Sequence, residues 1–236
     1  MINYFFILPS FLIRKLKTRK ISYSLTSIDL LINHIFKGKK NGYFIDVGCN
    51  HPVYNNNTYL LYKRGWSGIN VDLDKKSIQL FDLYRKKDLN INSAISSKVE
   101  EVDFYFYHDK SPINTLSKKS YTFQKTKPKI IKKITTQTLE SIISASVFKK
   151  KKIDFLSVDV EGHELEVLKG LNLKVYSPSI IVLEYLDLSI DKLEVYNFDI
   201  NNILNSEIYN YMIDNDYSLV NWFHSDLVFA HNKSKF

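Results

Sequence analysis

Four ionisable side chains fall within six residues of the sequence, at Asp159, Glu161, His163 and Glu164. Asp159 interrupts an otherwise apolar run, where a buried carboxylate needs a partner. His163 is a candidate general base because an unperturbed histidine has a pKa of about 6.5. Glu161 is the alternative base, since burial among like charges raises the pKa of a carboxyl group toward neutrality. We expect catalytic roles for Asp159, Glu161 and His163, and the choice of base stays open.

A divalent metal is a further interpretation of the same residues. Asp159, Glu161 and a downstream acid such as Glu184 could hold a cation that lowers the pKa of an acceptor hydroxyl. The spacing of these acids is not that of a recognised metal motif, and we therefore predict no metal site.

A second group of chemically suggestive residues lies in the first third of the chain. Residues 43–47 form a short apolar run that ends in Asp46-Val47 and is followed by Gly48. A second apolar run at 69–73 contains Asp72. Strand, glycine turn, helix, strand and acid is the layout of a nucleoside-binding βαβ unit. A carboxylate on the second strand can accept hydrogen bonds from both ribose hydroxyls because it has two oxygens.

The glycine turn favours a ligand without phosphate. Gly48 is the only glycine in the turn, and no G-x-G-x-x-G motif occurs in the sequence. A dinucleotide pyrophosphate needs several glycines and a helix N-terminus, whereas S-adenosylmethionine carries an adenosine, a sulfonium and an amino-acid tail. The alternatives are a nicotinamide-dependent oxidoreductase and a catalytically idle module that binds a nucleotide or a glycan.

Five stretches of the chain resemble the FkbM-type S-adenosylmethionine-dependent methyltransferases. They are residues 44–50, 57–61, 64–72, 94–95 and 155–164, and they follow the order of the family between about residues 41 and 231. The run Asp-Val-Glu-Gly-His-Glu at 159–164 is the most specific of them. Cys49 stands where the family usually has alanine, and Asp72 where it more often has glutamate.

The resemblance implies S-adenosyl-L-methionine as cofactor and a hydroxyl oxygen as methyl acceptor, on a sugar of a glycan or natural product. Methyl transfer is an in-line displacement for which the protein supplies alignment and a base. An acid near the methionine end would hold the ammonium group of the cofactor. The expected cofactor-binding residues are Asp46, Gly48, Asn50, Asn57, Asp72, Ser93, Ala94 and Asp159.

The elements that must position these residues are strands and helices in alternation. We predict an α/β, doubly wound, Rossmann-like sheet of seven strands in the order 3-2-1-4-5-7-6, with one antiparallel strand, as in class I methyltransferases. The strands are residues 43–47, 69–73, 89–95, 153–160, 180–185, 217–223 and 227–230. Ligands bind outside the carboxyl ends of such a sheet, so Asp46 and Asp159 should face one crevice. A helical appendage at 1–37 would precede the methyltransferase domain at 38–236.

Composition limits the partners of the chain. Of its 236 residues 44% are hydrophobic, enough for a sizeable core, and a single cysteine excludes an internal disulfide. The net charge of +8 is concentrated at residues 1–28 and 118–152. Two local basic patches argue against a nucleic-acid partner. They fit a small-molecule or glycan substrate, with an anionic one as the narrower alternative.

Two segments could lie at the edge of this domain. Residues 2–13 are mostly apolar and are followed by five basic residues, which predicts either a helix docked on the core or an interfacial membrane anchor. We expect a cytoplasmic protein, membrane-associated in the second case. Residues 109–134 read as a long basic loop. The resemblance to the FkbM-type family implies that its start at 111–116 is a lid, because a comparable stretch of that family lies over the active site.

Overall fold

The structure is a computed structural model that describes residues 20–109, 111, 113–124, 126–185 and 200–234, without the side chain of Phe123. Ten strands lie in these residues: β1 (Tyr43–Val47), β2 (Ser67–Asp72), β3 (Leu89–Asn92), β4 (Ala94–Ile95), β5 (Glu101–Phe106), β6 (Ile130–Gln137), β7 (Phe155–Val158), β8 (Ile180–Glu184), β9 (Tyr217–Phe223) and β10 (Asp226–His231). The described helices are α1 (Ile28–Ile35), α2 (Tyr59–Lys63), α3 (Lys75–Tyr84), α4 (Lys118–Phe123), α5 (Leu139–Ala145), α6 (Glu164–Lys169), α7 (Leu173–Tyr176), α8 (Ile200–Leu204) and α9 (Glu207–Asp214).

Seven strands form the main sheet, in the spatial order β3-β2-β1-β7-β8-β10-β9. The pairs β3–β2, β2–β1, β1–β7 and β7–β8 are parallel, and β10 runs antiparallel to both of its neighbours. The predicted α/β class and the mostly parallel sheet with one antiparallel strand are therefore confirmed. When these seven strands are numbered 1 to 7 along the chain, their spatial order is the predicted 3-2-1-4-5-7-6. The details of the sheet differ in two places.

The first difference is in the third strand. The predicted run 89–95 breaks after Asn92, and Ala94–Ile95 joins a separate sheet of order β4-β6-β5. Its parallel partner in that sheet is β6, through Thr136 and Gln137. The break lets the chain leave the main sheet beside the end of β2, where Ser93 N–H donates to the carbonyl of Asp72 at 3.1 Å.

The second difference is in residues 109–134, which we expected to be a long loop. The structure places α4 and most of β6 there, so the loop prediction is wrong. β6 is almost entirely solvent-exposed, and its lysines therefore give no alternating apolar pattern. They pair across the strands instead: Lys133 forms an ion pair with its register partner Asp103 at 2.9 Å, and the Lys132 ammonium lies 4.6 Å from the Phe106 ring centre.

Both faces of the main sheet are buried, which explains the continuous apolar character of its central strands. On one face α1 packs through Ile28 and Ile32 into a cluster with Trp66 and Phe155. Burying such side chains contributes about 1.5–3 kcal/mol each. A helix within the predicted appendage at 1–37 is thus present and covers part of the sheet, while the boundary at 37/38 stays a prediction.

The predicted N-terminal docking helix or membrane anchor lies in residues 2–19, outside the described residues. None of the helices in the described ranges has the length and hydrophobicity needed to cross a bilayer.

Candidate active site

A cavity opens at the carboxyl ends of β1, β2, β7 and β8. Most of the predicted site residues line it: Gly48, Asn50, Asn57, Asp72, Ser93, Ala94, Asp159, Glu161 and His163. Asp46 is the exception. This location agrees with the rule that ligands of open α/β sheets bind at the carboxyl edge, near the switch point between neighbouring strands.

Gly48 makes the tight turn on the cavity floor. Its φ of +80° is a conformation that side chains rarely adopt, and a Cβ atom there would lie 1.6 Å from the carbonyl oxygen of Asp159. The N–H groups of Gly48 and Cys49 both donate to the carbonyl of Val71, at 2.9 and 3.2 Å. The turn therefore brings β1, β2 and the segment after β7 into contact, and its own N–H groups are already bonded.

Asp72 ends β2 with both carboxylate oxygens oriented. Asn50 N–H donates to Oδ2 at 2.8 Å, and Asp74 N–H donates to Oδ1 at 2.7 Å. Burial raises the pKa of Asp72 to about 6, and these two hydrogen bonds oppose the rise. The carboxylate is thus held in place and retains lone pairs for a ligand in the cavity.

Asn57 and the Ser93-Ala94 pair complete this half of the cavity. Asn57 Nδ2 donates to Ser157 Oγ at 3.1 Å, which fixes the amide against β7. Ala94 is buried and lies directly beyond the end of β2. Ser93 and Ala94 therefore line the cavity near Asp72, and their role in cofactor binding stays a prediction.

Asp46 does not face the cavity, so the expectation that Asp46 and Asp159 share one crevice is wrong. Its carboxylate is buried and accepts hydrogen bonds from Thr58 Oγ1 at 2.9 Å and Asn56 Nδ2 at 3.1 Å. Residues on a strand alternate between the two faces, and the side chain of Asp46 points beneath the cavity floor. Its bonds hold the segment that carries Asn57.

Arg85 is a buried residue of this network that the sequence did not reveal. It donates to Thr58 Oγ1 at 3.1 Å, to the carbonyl of Pro52 at 3.1 Å and to Asp88 Oδ2 at 2.8 Å. The side chains of Arg85 and Asp88 are both fully buried. An arginine followed by two lysines is usually solvent-exposed. The local sequence therefore gives no sign that Arg85 is buried while the lysines beside it are exposed.

Three acids crowd the other end of the cavity. Carboxylate oxygens of Asp159, Glu161 and Glu184 lie within 4.8 Å of one another. Asp159 is open to the cavity, although protein atoms surround it closely, and desolvation raises its pKa. Desolvation, then the charges of Asp159 and Glu164, raise the pKa of Glu161 to about 9. Desolvation, then the charges of Asp159, Glu161 and Glu164, raise the pKa of Glu184, whose side chain also bonds to Asp159.

Glu164, the fourth acid of the run, has a structural position. It is buried, and its Oε1 accepts hydrogen bonds from the N–H groups of Val160 and Gly162 at 3.1 and 3.0 Å. Gly162 needs its φ of +93°, and a Cβ there would lie 2.0 Å from Ser120 Oγ. Glu164 thus closes the turn that presents Asp159 and Glu161 to the cavity.

His163 lines the cavity at the start of α6. Its Nε2 lies 3.1 Å from Ser96 Oγ, a contact that the sequence analysis missed. Desolvation lowers the pKa of His163, although the charges of Glu166 and Glu100 oppose the change. The imidazole is therefore neutral at neutral pH, the state that a general base requires.

A comparison with protein-family models finds a match that covers most of the chain, including most of the residues that line the cavity. Residues 46–219 match the methyltransferase FkbM domain. The chain belongs to the FkbM methyltransferase family. The resemblance stated from the sequence is confirmed, and methyl transfer is the chemistry of the family. A search of curated proteins finds no significant match.

Part of the cavity rim comes from residues on both sides of the matched range 46–219. Leu25 and Thr26 line it from the segment before α1, and Ser225 and Asp226 line it from the terminal hairpin. Thr26 Oγ1 donates to Asp226, 200 positions away in sequence. A contact of such separation leaves no local signal, which is why these residues were missed.

The lid candidate contributes to the wall of the cavity. Ser111, Asn114, Thr115 and Leu116 line it. Thr115 Oγ1 donates to the carbonyl of Glu161 at 2.8 Å, so the segment is bonded to the acidic turn. Its role as a lid stays a prediction.

Proposed function

We propose that the protein is an S-adenosylmethionine-dependent O-methyltransferase that acts on a sugar hydroxyl of a glycan or natural product. The FkbM domain supplies the reaction type.

The observation that carries the proposal is the position of the Asp72 carboxylate and the orientation of its two oxygens. Its carboxylate lines the cavity at the end of the second strand, and one backbone N–H orients each oxygen. Two preoriented acceptors match the two hydroxyls of a ribose, each of which can donate a hydrogen bond. Ser93 and Ala94 lie beside it, where the adenine would follow the ribose.

The same cavity disfavours a phosphate-bearing cofactor. The N–H groups of Gly48 and Cys49 are bonded to Val71, so the turn offers neither of them to a pyrophosphate. Among the described residues that line the cavity there is no lysine or arginine. A positive sulfonium is favoured between carboxylates, and this argues against the nicotinamide-dependent alternative.

The methionine part of the donor would extend from Asp72 toward Gly48, Asn50 and Asn57. Asp46 is bonded to Asn56 and Thr58, which leaves Asp159 as the acid that can hold the ammonium group. This orientation directs the methyl group toward the acidic end of the cavity, where Glu161 and His163 lie.

The acceptor hydroxyl would lose its proton to His163 as its oxygen attacks the methyl carbon and the carbon–sulfur bond breaks. Ser96 determines which nitrogen can act. If Nε2–H donates to Ser96 Oγ, Nδ1 carries the lone pair that receives the proton. Glu161, with a pKa of about 9, is protonated at neutral pH and is the weaker candidate for the base.

A hydroxyl-rich acceptor fits the acidic end of the cavity. Carboxylates accept hydrogen bonds from sugar hydroxyls, and they repel anions. A phosphate or carboxylate group of the acceptor would therefore remain outside, near the exposed lysines of α4 and β6. Both the neutral and the anionic substrate of the sequence analysis are compatible with this arrangement.

Calorimetry with S-adenosylmethionine tests the donor assignment. Asp72→Ala should weaken binding about 10²- to 10⁴-fold, the loss expected for two hydrogen bonds to a charged group. Asp82→Ala is the matched control, since Asp82 lies on α3 outside the cavity and accepts a bond from Asn90. Unchanged affinity in Asp72→Ala, or tighter binding of NAD than of S-adenosylmethionine, would reject the proposal.

Transfer of a labelled methyl group to a panel of sugars and glycans tests the acceptor and the base. His163→Gln should lower turnover about 10²- to 10⁴-fold while the donor affinity stays unchanged. Ser96→Ala should have a smaller effect, because it only releases the orientation of the ring. Full activity of His163→Gln would exclude the histidine as the base.

A further inference from the structure

The acidic end of the cavity brings three acids together without a lysine or arginine beside them in the described part of the chain. Asp159 and Glu161 come from the turn after β7, and Glu184 comes from the end of β8. Their carboxylate oxygens lie within 4.8 Å of one another, and no described residue lining the cavity is a lysine or arginine. A cluster of this kind needs a positive partner or protons.

Glu184 supplies a second observation. Its side chain bonds to the carboxyl group of Asp159 within the cluster, but its Oε2 atom is buried and has no donor within the described structure. A buried acceptor without a donor costs about 1–3 kcal/mol and calls for an explanation. Glu164, also an acid of this region, shows the contrast, because two backbone N–H groups bind it. Glu184 lines the cavity, and a cation bound there would satisfy this oxygen.

We propose that Asp159, Glu161 and Glu184 bind a divalent cation of the hard, oxygen-preferring type, with Mg²⁺ as the best match. Carboxylate oxygens and water are the ligands that Mg²⁺ and Mn²⁺ select. Around an octahedral ion with bonds of about 2.1 Å, ligand oxygens lie about 3–4 Å apart. The three side chains need to close by only about 1–2 Å to reach that spacing.

This site extends the proposed methyl transfer and depends on it for its role. The cation would bind the acceptor oxygen and lower the pKa of its hydroxyl group. The proton leaves to the base, the oxygen–carbon bond forms, and the carbon–sulfur bond breaks to release a neutral thioether. Asp159 has two oxygens, and one can face the donor ammonium while the other binds the cation.

The site constrains the acceptor as well. An ion held by three carboxylates keeps open positions for further oxygens, and two neighbouring hydroxyls of a sugar ring can fill two of them. We therefore infer that the acceptor carries a vicinal diol, which the cation chelates.

Binding of Mn²⁺ to protein freed of metal by EDTA tests the site without any methyl donor. The loss of the free-ion paramagnetic resonance signal counts the ions bound. We expect one Mn²⁺ per chain, displaced by Mg²⁺ and weakened at least tenfold in Glu184→Gln and in Glu161→Gln. Glu166→Gln is the matched control, because Glu166 pairs with Lys169 at 2.8 Å and does not line the cavity.

Thermal melts of each variant identify failures of folding, and Glu161→Gln repeats the test at a less buried side chain. No bound Mn²⁺, or equal binding in wild type and both variants, would overturn the site. Donor binding measured in EDTA separates the two proposals. If the donor binds and the metal does not, the metal site fails and the methyltransferase assignment stands. If Glu184→Gln weakens only the donor, the cluster holds the donor ammonium and the metal site is rejected.

Discussion

Two groups of buried acids lie on opposite sides of Gly48, and they differ in how their charge is balanced. Behind the glycine, Asp46 and Asp88 share one network with Arg85, whose guanidinium is fully buried. In front of it, Asp159, Glu161 and Glu184 face one another across the cavity. In the described structure the first group has a cation and the second has only acids around it.

The difference separates a structural network from a binding site. Every bond made by Arg85 and Asp46 ends on another part of the protein, so that group fixes the loop carrying Asn57 and needs no ligand. Among the cavity acids, Asp159 and Glu184 bond to each other, and Glu184 Oε2 has no donor within the described residues. The lack of hydrogen-bond partners therefore identifies the functional acids better than their burial does.

Replacing Arg85, the cation of the first group, should have the largest effect on the stability of the protein. Arg85→Met leaves two buried carboxylates without their positive partner, and we expect a loss of about 3–5 kcal/mol in the free energy of unfolding. Urea denaturation measures it, with Lys87→Met on the exposed surface as the control. A loss below about 1 kcal/mol would mean that the network is not structural.

A substitution at Gly48, which lies between the two groups of acids, should have the second largest effect on stability. Gly48→Ala forces a side chain onto a φ of +80° and against the carbonyl oxygen of Asp159. We expect a loss of about 2–3 kcal/mol together with weaker donor binding. Gly38→Ala is the matched control, since nothing lies within 4 Å of a Cβ at that position. Equal stability of the two variants would show that the close approach is unimportant.

Asp72 combines features of both groups. Its carboxylate oxygens accept hydrogen bonds from the protein, as in the first group, and it lines the cavity, as the second group does. Its pKa of about 6 places its titration near neutrality, with Asp74 and Asp159 as the nearby charges that raise it. Ribose binding needs the ionised form, so donor affinity should fall as the pH decreases through 6, by about tenfold at one unit below. In Asp72→Asn the affinity should be low and should not vary with pH between 5 and 7.

Glu184→Gln should have the smallest effect on the free energy of unfolding. We expect it to stabilise the protein, whereas Arg85→Met destabilises it. In metal-free buffer, Glu184→Gln keeps the shape of the side chain and relieves the desolvation and the repulsion between acids that raise the pKa of Glu184, and we expect a gain of about 1 kcal/mol in unfolding free energy. Glu166→Gln, which breaks an ion pair with Lys169, should instead lose a few tenths. A loss of stability in Glu184→Gln would show that its charge is balanced within the protein.

The sequence predicts those features whose causes are local. Alternating apolar runs and helices predicted the sheet, and an acid at the end of the second strand predicted Asp72 at the cavity. Asp46 was misplaced because a strand position indicates which edge a residue reaches and not which face it points to. The sheet with β6 was missed because pairs such as Lys133–Asp103 replace the apolar pattern that usually identifies a strand.

Other features depend on contacts that only the fold creates. Arg85 has no sequence feature that separates it from the exposed lysines beside it. Ser96 reaches His163 across 67 positions, and Thr26 reaches Asp226 across 200. Glu184 was considered as a ligand from the sequence, and only the structure shows that one of its oxygens lacks a donor.

The position of β10 between β8 and β9 has a consequence for biosynthesis. The strand that completes the sheet is the last one in the described chain, and Asp226 at its start also bonds to Thr26 near the beginning. Until that strand leaves the ribosome, β8 is an open edge with the Glu184 end of the cavity beside it. Premature termination before residue 226 would therefore leave a nascent chain with most of its sheet, an unpaired strand edge prone to aggregation, and no finished cavity.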